Sequence, residues 1–373
     1  MQRIYLDANA TTPLDPRVRE IMEPYLDCGN ASSLHAEGRA ARDAMEHARE
    51  QVAALIGAAP REIIFTSGGT EANALALLGT VRARETGPVL YSTVEHPSVK
   101  GTVEDLAPGV ELRPIPVGPT GHVDPETEIP EGARLVTCML ANNETGAILP
   151  VAALARSARA AGAVMHSDAV QACGKVPVDV RALDVDLLSV SAHKMHGPKG
   201  AAALYVRRGV RLEPLARGGE HERGLRAGTE NVAAIVGFGA AAELAASELD
   251  TRRTLWSRLS GLLVEKLCET IPDVSVHTHE PCVPSTVNLR FPGAEGEAVL
   301  LGLDLEGIAV STGSACSSGA AEASHVLLAM GLTQDQAEES IRISFHAGST
   351  ENDVAALVKS LARIVKSLRA LQV

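Results

Sequence analysis

Residues 163–208 read AVMHSDAVQACGKVPVDVRALDVDLLSVSAHKMHGPKGAAALYVRR. Three runs in it are short, apolar or small, and strand-like: AVMHSD (163–168), VDLLSVSAH (185–193) and GAAALYVRR (200–208). None shows the polar–apolar alternation of a sheet with one wet face, so these strands are expected to be covered on both sides. Working outward toward the N-terminus, EIIFTS (62–67), PVLYST (88–93) and RLVTCMLA (134–141) also read as strands, and VELRPIPV (110–117) as extended chain. Between them TEANALALLGTVRARE (70–85), HPSVKGTVEDL (96–106) and VAALARSARAAG (151–162) carry helical periodicity, as does AEGRAARDAMEHAREQVAALIGA (36–58). Strands alternating with helices predict a large, mostly parallel sheet with helices on both faces.

Toward the C-terminus a long helical stretch is expected from Asn231 to Ile271. Residues 273–373 then mix short strands (STVNLRF, SIRISF) with helices (EAVLLGLDL, ENDVAALVKSLARIVKSLRAL), the pattern of a smaller α+β domain. The expected division is an N-terminal arm, 1–15, packing with the small domain, a large α/β domain, 16–260, and a small domain, 261–373.

Composition narrows the function. The chain has 373 residues, 45% of them hydrophobic and 21% charged, enough for a sizeable core over about two domains. Only 2% are aromatic, so that core is aliphatic. A formal net charge of -12 argues against nucleic acid or an anionic membrane as the main partner, because both are bound through clustered Lys and Arg. Six cysteines, at 28, 138, 173, 268, 282 and 316, form no Cys-x-x-Cys pair, so neither a zinc site nor a disulfide framework is expected. The start, MQRIYLDANATT, lacks the order of a signal peptide, and no apolar run is long enough for a bilayer. A cytoplasmic location is expected.

In an open α/β sheet, ligands bind at the carboxyl ends of the strands. FTSGGTEAN (65–73) puts a Gly-Gly turn and Thr70 there, at a helix start; it reads either as an ordinary N-cap or as a phosphate cradle. Asp168 ends a strand with Gln171 just beyond. It is either a cap for the next segment or the partner of a ring nitrogen that must stay protonated. SVSAHKMHGPKG (189–200) is the sharpest signal, a strand ending at Ser191, His193 and Lys194 before a Gly-Pro turn. A lysine at this edge is placed for a Schiff base, since desolvation lowers its pKa. The flanking histidines have no carboxylate or cysteine pattern to complete a metal site, and Lys199 is expected to face solvent. STGSACSSG (311–319) leaves Cys316 open between a buried apolar thiol and a reactive one.

These motifs occur in a telling order: YLDANATT, GNASSLH, FTSGGTEAN, EHPSV, NNETG, HSDAVQ, SAHKMHGPKG, GGEHERGLRAGTEN, STGSACSSGAAEASHVLLAMG and SIRISF. Over nearly its whole length the chain resembles the cysteine desulfurases of the nitrogen-fixation and iron–sulfur-assembly type. These have the class V aminotransferase version of the pyridoxal-phosphate-dependent transferase fold, which is like that of aspartate aminotransferase.

The resemblance implies that Lys194 holds pyridoxal 5'-phosphate as a Schiff base and takes the substrate α-proton. It implies that Asp168 pairs with the ring nitrogen, His96 stacks on the ring and acts in catalysis, and Gln171 touches the ring oxygen. Gly69, Thr70, Ser191 and His193 would hold the phosphate, with Thr229 reaching it from the neighbouring subunit of a homodimer. Asn143 would contact cofactor and substrate, Asn30 and Arg342 the substrate, L-cysteine. Cys316 would accept the sulfur as a persulfide and pass it to a protein acceptor, such as an iron–sulfur scaffold or a sulfur carrier, for iron–sulfur cluster assembly or thiolation. No resident metal is implied, although Cys316 could transiently share a cluster iron with a scaffold. Selenocysteine lyases and a non-catalytic scaffold are the rival readings; GSACSSG opposes the first, and Lys194, Asp168 and Cys316 together oppose the second. The sequence departs from the family pattern at Ala31, where proline is usual, at His346-Ala347 after SIRISF, and in a short C-terminal tail.

Overall fold

The computed structural model describes residues 3–84, 86–312 and 323–371. Cys316 and the motif around it, GSACSSGAAE (313–322), lie outside the described residues.

Among the described residues, seven strands form the main sheet. Their spatial order is Ile63–Thr66, Ala202–Val206, Leu187–Ser191, Val164–Asp168, Leu135–Thr137, Val89–Ser92 and Leu112–Ile115. From Leu187–Ser191 outward the strands are parallel, while Ala202–Val206 runs antiparallel to both neighbours. Successive side chains on a strand point to opposite faces, and the buried residues sort accordingly. Ile64, Val89, Leu135, Val164, Leu187 and Leu204 pack with Leu75, Leu77 and Val103 of helices Gly69–Ala83 and Pro97–Leu106. Their neighbours Ile63, Phe65, Leu90, Val136, Met165, Leu188 and Ala203 face the other way. That side is covered by helices Ala36–Leu55, Val151–Ala160 and Val232–Ser247. The sheet is thus dry on both faces, as its apolar strands require.

The helical stretch expected to be continuous from Asn231 to Ile271 is two helices, Val232–Ser247 and Leu249–Thr270, bent by 69°. The physical reason is that they serve different cores. Val232–Ser247 is buried on nearly every side against the large sheet. It approaches helix Ala36–Leu55 closely at Gly239, where a Cβ would stand 2.6 Å from Ala48 Cα. Leu249–Thr270 instead places Trp256, Leu259, Leu263 and Leu267 in a separate core. No single helix among the described residues is long and apolar enough to cross a membrane.

That second core lies under an antiparallel sheet ordered Ser311–Thr312, Ser340–Ser344, Thr286–Arg290, Ser275–Val276. Helices Gly296–Leu305 and Glu351–Ala370 contribute Val299, Leu303, Leu357 and Leu361 to it. Residue 260 falls within Leu249–Thr270, whose Trp256 already packs here. The N-terminal strand Ile4–Tyr5 pairs in parallel with Ile308–Ala309, and Leu6 is buried in the same core. From there residues 7–12 cross to the C-terminal edge of the large sheet, where the Thr12 N–H donates to His193 O at 2.9 Å.

Candidate active site

Asp168 is the last residue of one parallel strand, and Lys194 follows the adjacent strand by a single 3₁₀ turn, Ala192–Lys194. The pairing of Asp168 with Ser189 sets the two strand ends side by side. Asp168 is buried, and its carboxylate accepts from Asn73 Nδ2 at 2.7 Å and from the Val170 N–H at 2.9 Å. Asn73 also donates to Ser98 Oγ at 2.9 Å, and Ser98 Oγ lies 2.8 Å from His96 Nδ1. The Ser98 N–H donates to that same ring nitrogen at 3.1 Å, so Nδ1 is an acceptor and the neutral ring carries its proton on Nε2. Burial holds His96 below the usual imidazole range; Lys194 pushes the same way and Asp168 opposes it.

The Lys194 amine donates to the carbonyls of Asn9 and, at 2.8 Å, Ala10. Gln171 Nε2 donates to the same Asn9 carbonyl at 2.9 Å. His193 is held neutral at about 4 by burial, with Lys194, Lys199 and Lys175 adding to the effect. As expected, Lys199 is exposed.

Helix Gly69–Ala83 starts beside Ser191, and no side chain caps it. A Cβ on Gly69 would stand 3.1 Å from Val170 Cγ2 and 4.0 Å from Ser191 Cβ. Ser191 Oγ is buried without a hydrogen-bond partner among the described residues. An orphaned buried hydroxyl costs stability unless something satisfies it. Beside an uncapped helix N-terminus, a phosphate would do so. Thr70, the second residue of that helix, is exposed at the same end.

The turn after Leu135–Thr137 is tied by Asn142 Oδ1, which accepts the N–H groups of Glu144 and Thr145 at 2.9 Å each. This fixes Asn143, whose carbonyl accepts from Arg342 Nη1 and from Asn9 Nδ2, both at 3.0 Å. Arg342, on Ser340–Ser344, is 3% exposed and pairs with Asp7 at 2.7 Å, while its Nε has no partner among the described residues. Ser191 Oγ and Arg342 Nε are therefore a spare hydroxyl and a spare cationic donor, and Asp168 and Lys194 share the large-sheet edge of Ser191. Asp168, Ser191, His193, Lys194, Gly69 and Gln171 fit pyridoxal phosphate, and Arg342 fits a substrate carboxylate.

The segment carrying Cys316 departs and returns beside these residues. Ser311–Thr312 pairs with the strand of Arg342, Ser311 lying opposite Arg342 itself. On the return, Ser324 Oγ donates to Glu144, and His325 Nε2 lies 2.9 Å from the carbonyl of Glu95. Both acids are fully buried, and burial pushes Glu144 up to about 7 and Glu95 up to about 8.

Two residues expected at the site are not brought to it within one chain. Asn30 is exposed, with Oδ1 accepting the Ser32 N–H of its own loop at 2.8 Å, and Thr229 is exposed on another loop. Their neighbours Ala31, Ser32 and Glu230 line one surface cavity of about 560 Å³. His346, left unplaced by the sequence, tilts against the rings of Tyr5 and His196. Sequence reasoning missed Asn9, Asn73, Ser98 and Lys175. Each is a short-range donor or acceptor to an expected residue; Asn9 lies within YLDANATT, Asn73 within FTSGGTEAN and Ser98 within EHPSV, and Lys175 follows HSDAVQ.

Residues 4–357 match the family model described as aminotransferase class-V. A cysteine desulfurase of Enterobacter agglomerans is 45% identical over 380 residues, covering 100% of this chain and 94% of that protein. The solved structure of a NifS-like protein superposes with a TM-score of 0.92 at 37% identity, covering 98% of this chain and 100% of that one. A structure of SspA in complex with cysteine superposes at 0.82 with 33% identity, covering 92% and 98%. The chain belongs to the class-V aminotransferase family and, within it, to the pyridoxal-phosphate-dependent cysteine desulfurases.

Proposed function

We propose that the chain converts L-cysteine to L-alanine and leaves the sulfur as a persulfide on Cys316 for a protein acceptor. The observation that carries this reading is the pairing of Lys194 and Asp168 at adjacent strand ends, beside the orphaned Ser191 Oγ. Pyridoxal phosphate, when bound, supplies an electron sink for the charge left at the substrate α-carbon.

The protein does the rest. Gly69, Thr70, Ser191 and His193 hold the phosphate. Asp168, whose carboxylate accepts hydrogen bonds from Asn73 and the Val170 N–H, would face the ring nitrogen. His96, its orientation fixed by Ser98, would lie against the ring. Arg342 takes the substrate carboxylate with Asn143 and Asn30, and Lys194 Nζ moves the α-proton. Cys316 Sγ then attacks the substrate sulfur: a sulfur–sulfur bond forms, the carbon–sulfur bond breaks, and the carbon becomes the methyl of alanine. Cysteine plus thiol gives alanine plus persulfide, with no external oxidant or reductant. Ser311 and Ser324, near the described ends of the segment, support this role because both adjoin the substrate side of the site.

We further propose a homodimer. In a single chain, Asn30 and Thr229 both lie off the site, on loops that meet at one cavity, and Leu26 and Leu34 are 68% and 83% exposed near Asn30. A two-fold axis there would bury those leucines and bring Thr229 to the partner's phosphate. Thr229→Ala is expected to weaken cofactor affinity by about tenfold to a hundredfold, the effect of one hydroxyl bonded to a charged phosphate. Cofactor removal is expected to shift wild type toward monomer, because each equilibrium stabilises the other. Equilibrium dialysis and sedimentation check both; a cofactor-loaded, active monomer would defeat the shared site.

The same reading divides the chain into arm, large domain and small domain, and two separate cores support it. A cytoplasmic location is supported by the unpaired Cys28, Cys138, Cys173, Cys268 and Cys282. The acceptor is proposed to be an iron–sulfur scaffold or a sulfur carrier. Trapping the protein that receives labelled sulfur from Cys316 tests that choice.

A further inference from the structure

Lys175 is 3% exposed, behind the site and outside the machinery described above. Its amine donates to Asn9 Oδ1 at 2.7 Å and to Gln171 Oε1 at 2.5 Å. An ammonium can only donate, so it dictates which end of each amide faces it. The consequences can be followed bond by bond. With Oδ1 engaged, Asn9 turns Nδ2 to Asn143 O at 3.0 Å and Thr286 Oγ1 at 2.9 Å. With Oε1 engaged, Gln171 turns Nε2 to Asn9 O, the carbonyl on which the Lys194 amine rests. Asn9 is therefore a hub joining Lys175, Gln171, Lys194 and the substrate-side Asn143, and Lys175 sets its orientation.

We propose that Lys175 is a positioning residue of the desulfuration. By clamping the side-chain oxygens of Asn9 and Gln171, it fixes the resting place of the Lys194 amine and places a second positive charge behind it. This rests on the function proposed above. The charged and titratable groups around Lys194 include Lys175 from the turn after Asp168, His193 beside it and His96 from the start of Pro97–Leu106, with Asp168 acting on His96 and Arg342 on Lys175. Apart from Lys175, all of these are retained in a Lys175 variant. Burial first, then the neighbouring Lys194 and Arg342, push the Lys175 amine well below the ordinary lysine range, while its two amide-oxygen acceptors favour the charged form. A buried amine kept at such cost is informative, because methionine would fill the same space without it.

The test compares Lys175→Met with wild type, both as cofactor-loaded protein, by pH titration of the absorption of Lys194-bound cofactor and by steady-state kinetics. Removing a cation beside Lys194 favours the protonated form, so the titration midpoint should rise by about half a unit or more. The kcat per bound cofactor should fall roughly ten- to hundredfold with little change in KM. Lys175→Gln keeps an N–H donor without the charge; it should hold the raised midpoint and recover part of the turnover. A merely structural lysine would lower the thermal midpoint and the yield, leaving the spectral midpoint and kcat per bound cofactor at wild-type values; that result overturns the proposal. So does a Gln variant no better than Met. Wild type with no such absorption would instead overturn the cofactor reading itself.

Discussion

Replacing Lys194 with alanine is expected to lower alanine release from L-cysteine by more than about a thousandfold and to remove the absorption of lysine-bound cofactor. In the proposed mechanism one amine is both the covalent anchor and the base for the α-proton, so one substitution removes two functions that multiply in rate. Among the described residues no other amine is placed to substitute. Lys199 is exposed beyond the Gly-Pro turn, and Lys175 is committed to Asn9 and Gln171. The phosphate residues and Asp168 do not depend on Lys194, so the variant should still take up cofactor non-covalently. Cofactor content, spectrum and alanine formation on one preparation check this. Wild-type alanine release from Lys194→Ala would remove the residue from the mechanism.

Cys316→Ala is expected to have the opposite spectral outcome with a similar kinetic one. The proposed cofactor contacts lie far from residue 316 in sequence, so binding and the response of the spectrum to L-cysteine should persist. Sulfur transfer should fall to background because the attacking atom is gone. Other cysteines are poor replacements. Cys138 and Cys173 are fully buried, which pushes both thiols up, and Cys282 is pushed up to about 12, chiefly by burial and then by Glu280. A thiol held protonated is a weak nucleophile. If Cys316→Ala formed persulfide normally and a Cys173 or Cys138 variant did not, the wrong thiol has been named.

Much of this arrangement was legible in the sequence because it rests on local rules. Apolar runs separated by helical periods gave the sheet, and the strand-end rule gave Asp168, Ser191 and Lys194 as neighbours before their pairing was known. What stayed hidden depends on tertiary packing. The break at Glu248 carries no proline or glycine; it arises because Val232–Ser247 and Leu249–Thr270 serve different cores. Asn9 lies on an arm whose course across the sheet edge is set by pairing with Ile308–Ala309, some three hundred residues away. Lys175 carries no local signal of burial in the sequence; its partners are two amide oxygens, one of them on the distant N-terminal arm. Asn30 and Thr229 were named by resemblance, and a single chain leaves both exposed. That mismatch is what an assembly completed by a second copy would produce.

The decisive measurement is made on wild-type protein loaded with pyridoxal phosphate and given L-cysteine without added reductant. Mass spectrometry of the intact chain and its peptides is read alongside alanine released. The expected result is a gain of sulfur mass on the peptide containing Cys316, matched by alanine in equal amount during the first turnover. Alanine released with no sulfur on that peptide, or sulfur gained instead on Cys138, Cys173 or Cys282, would contradict the account.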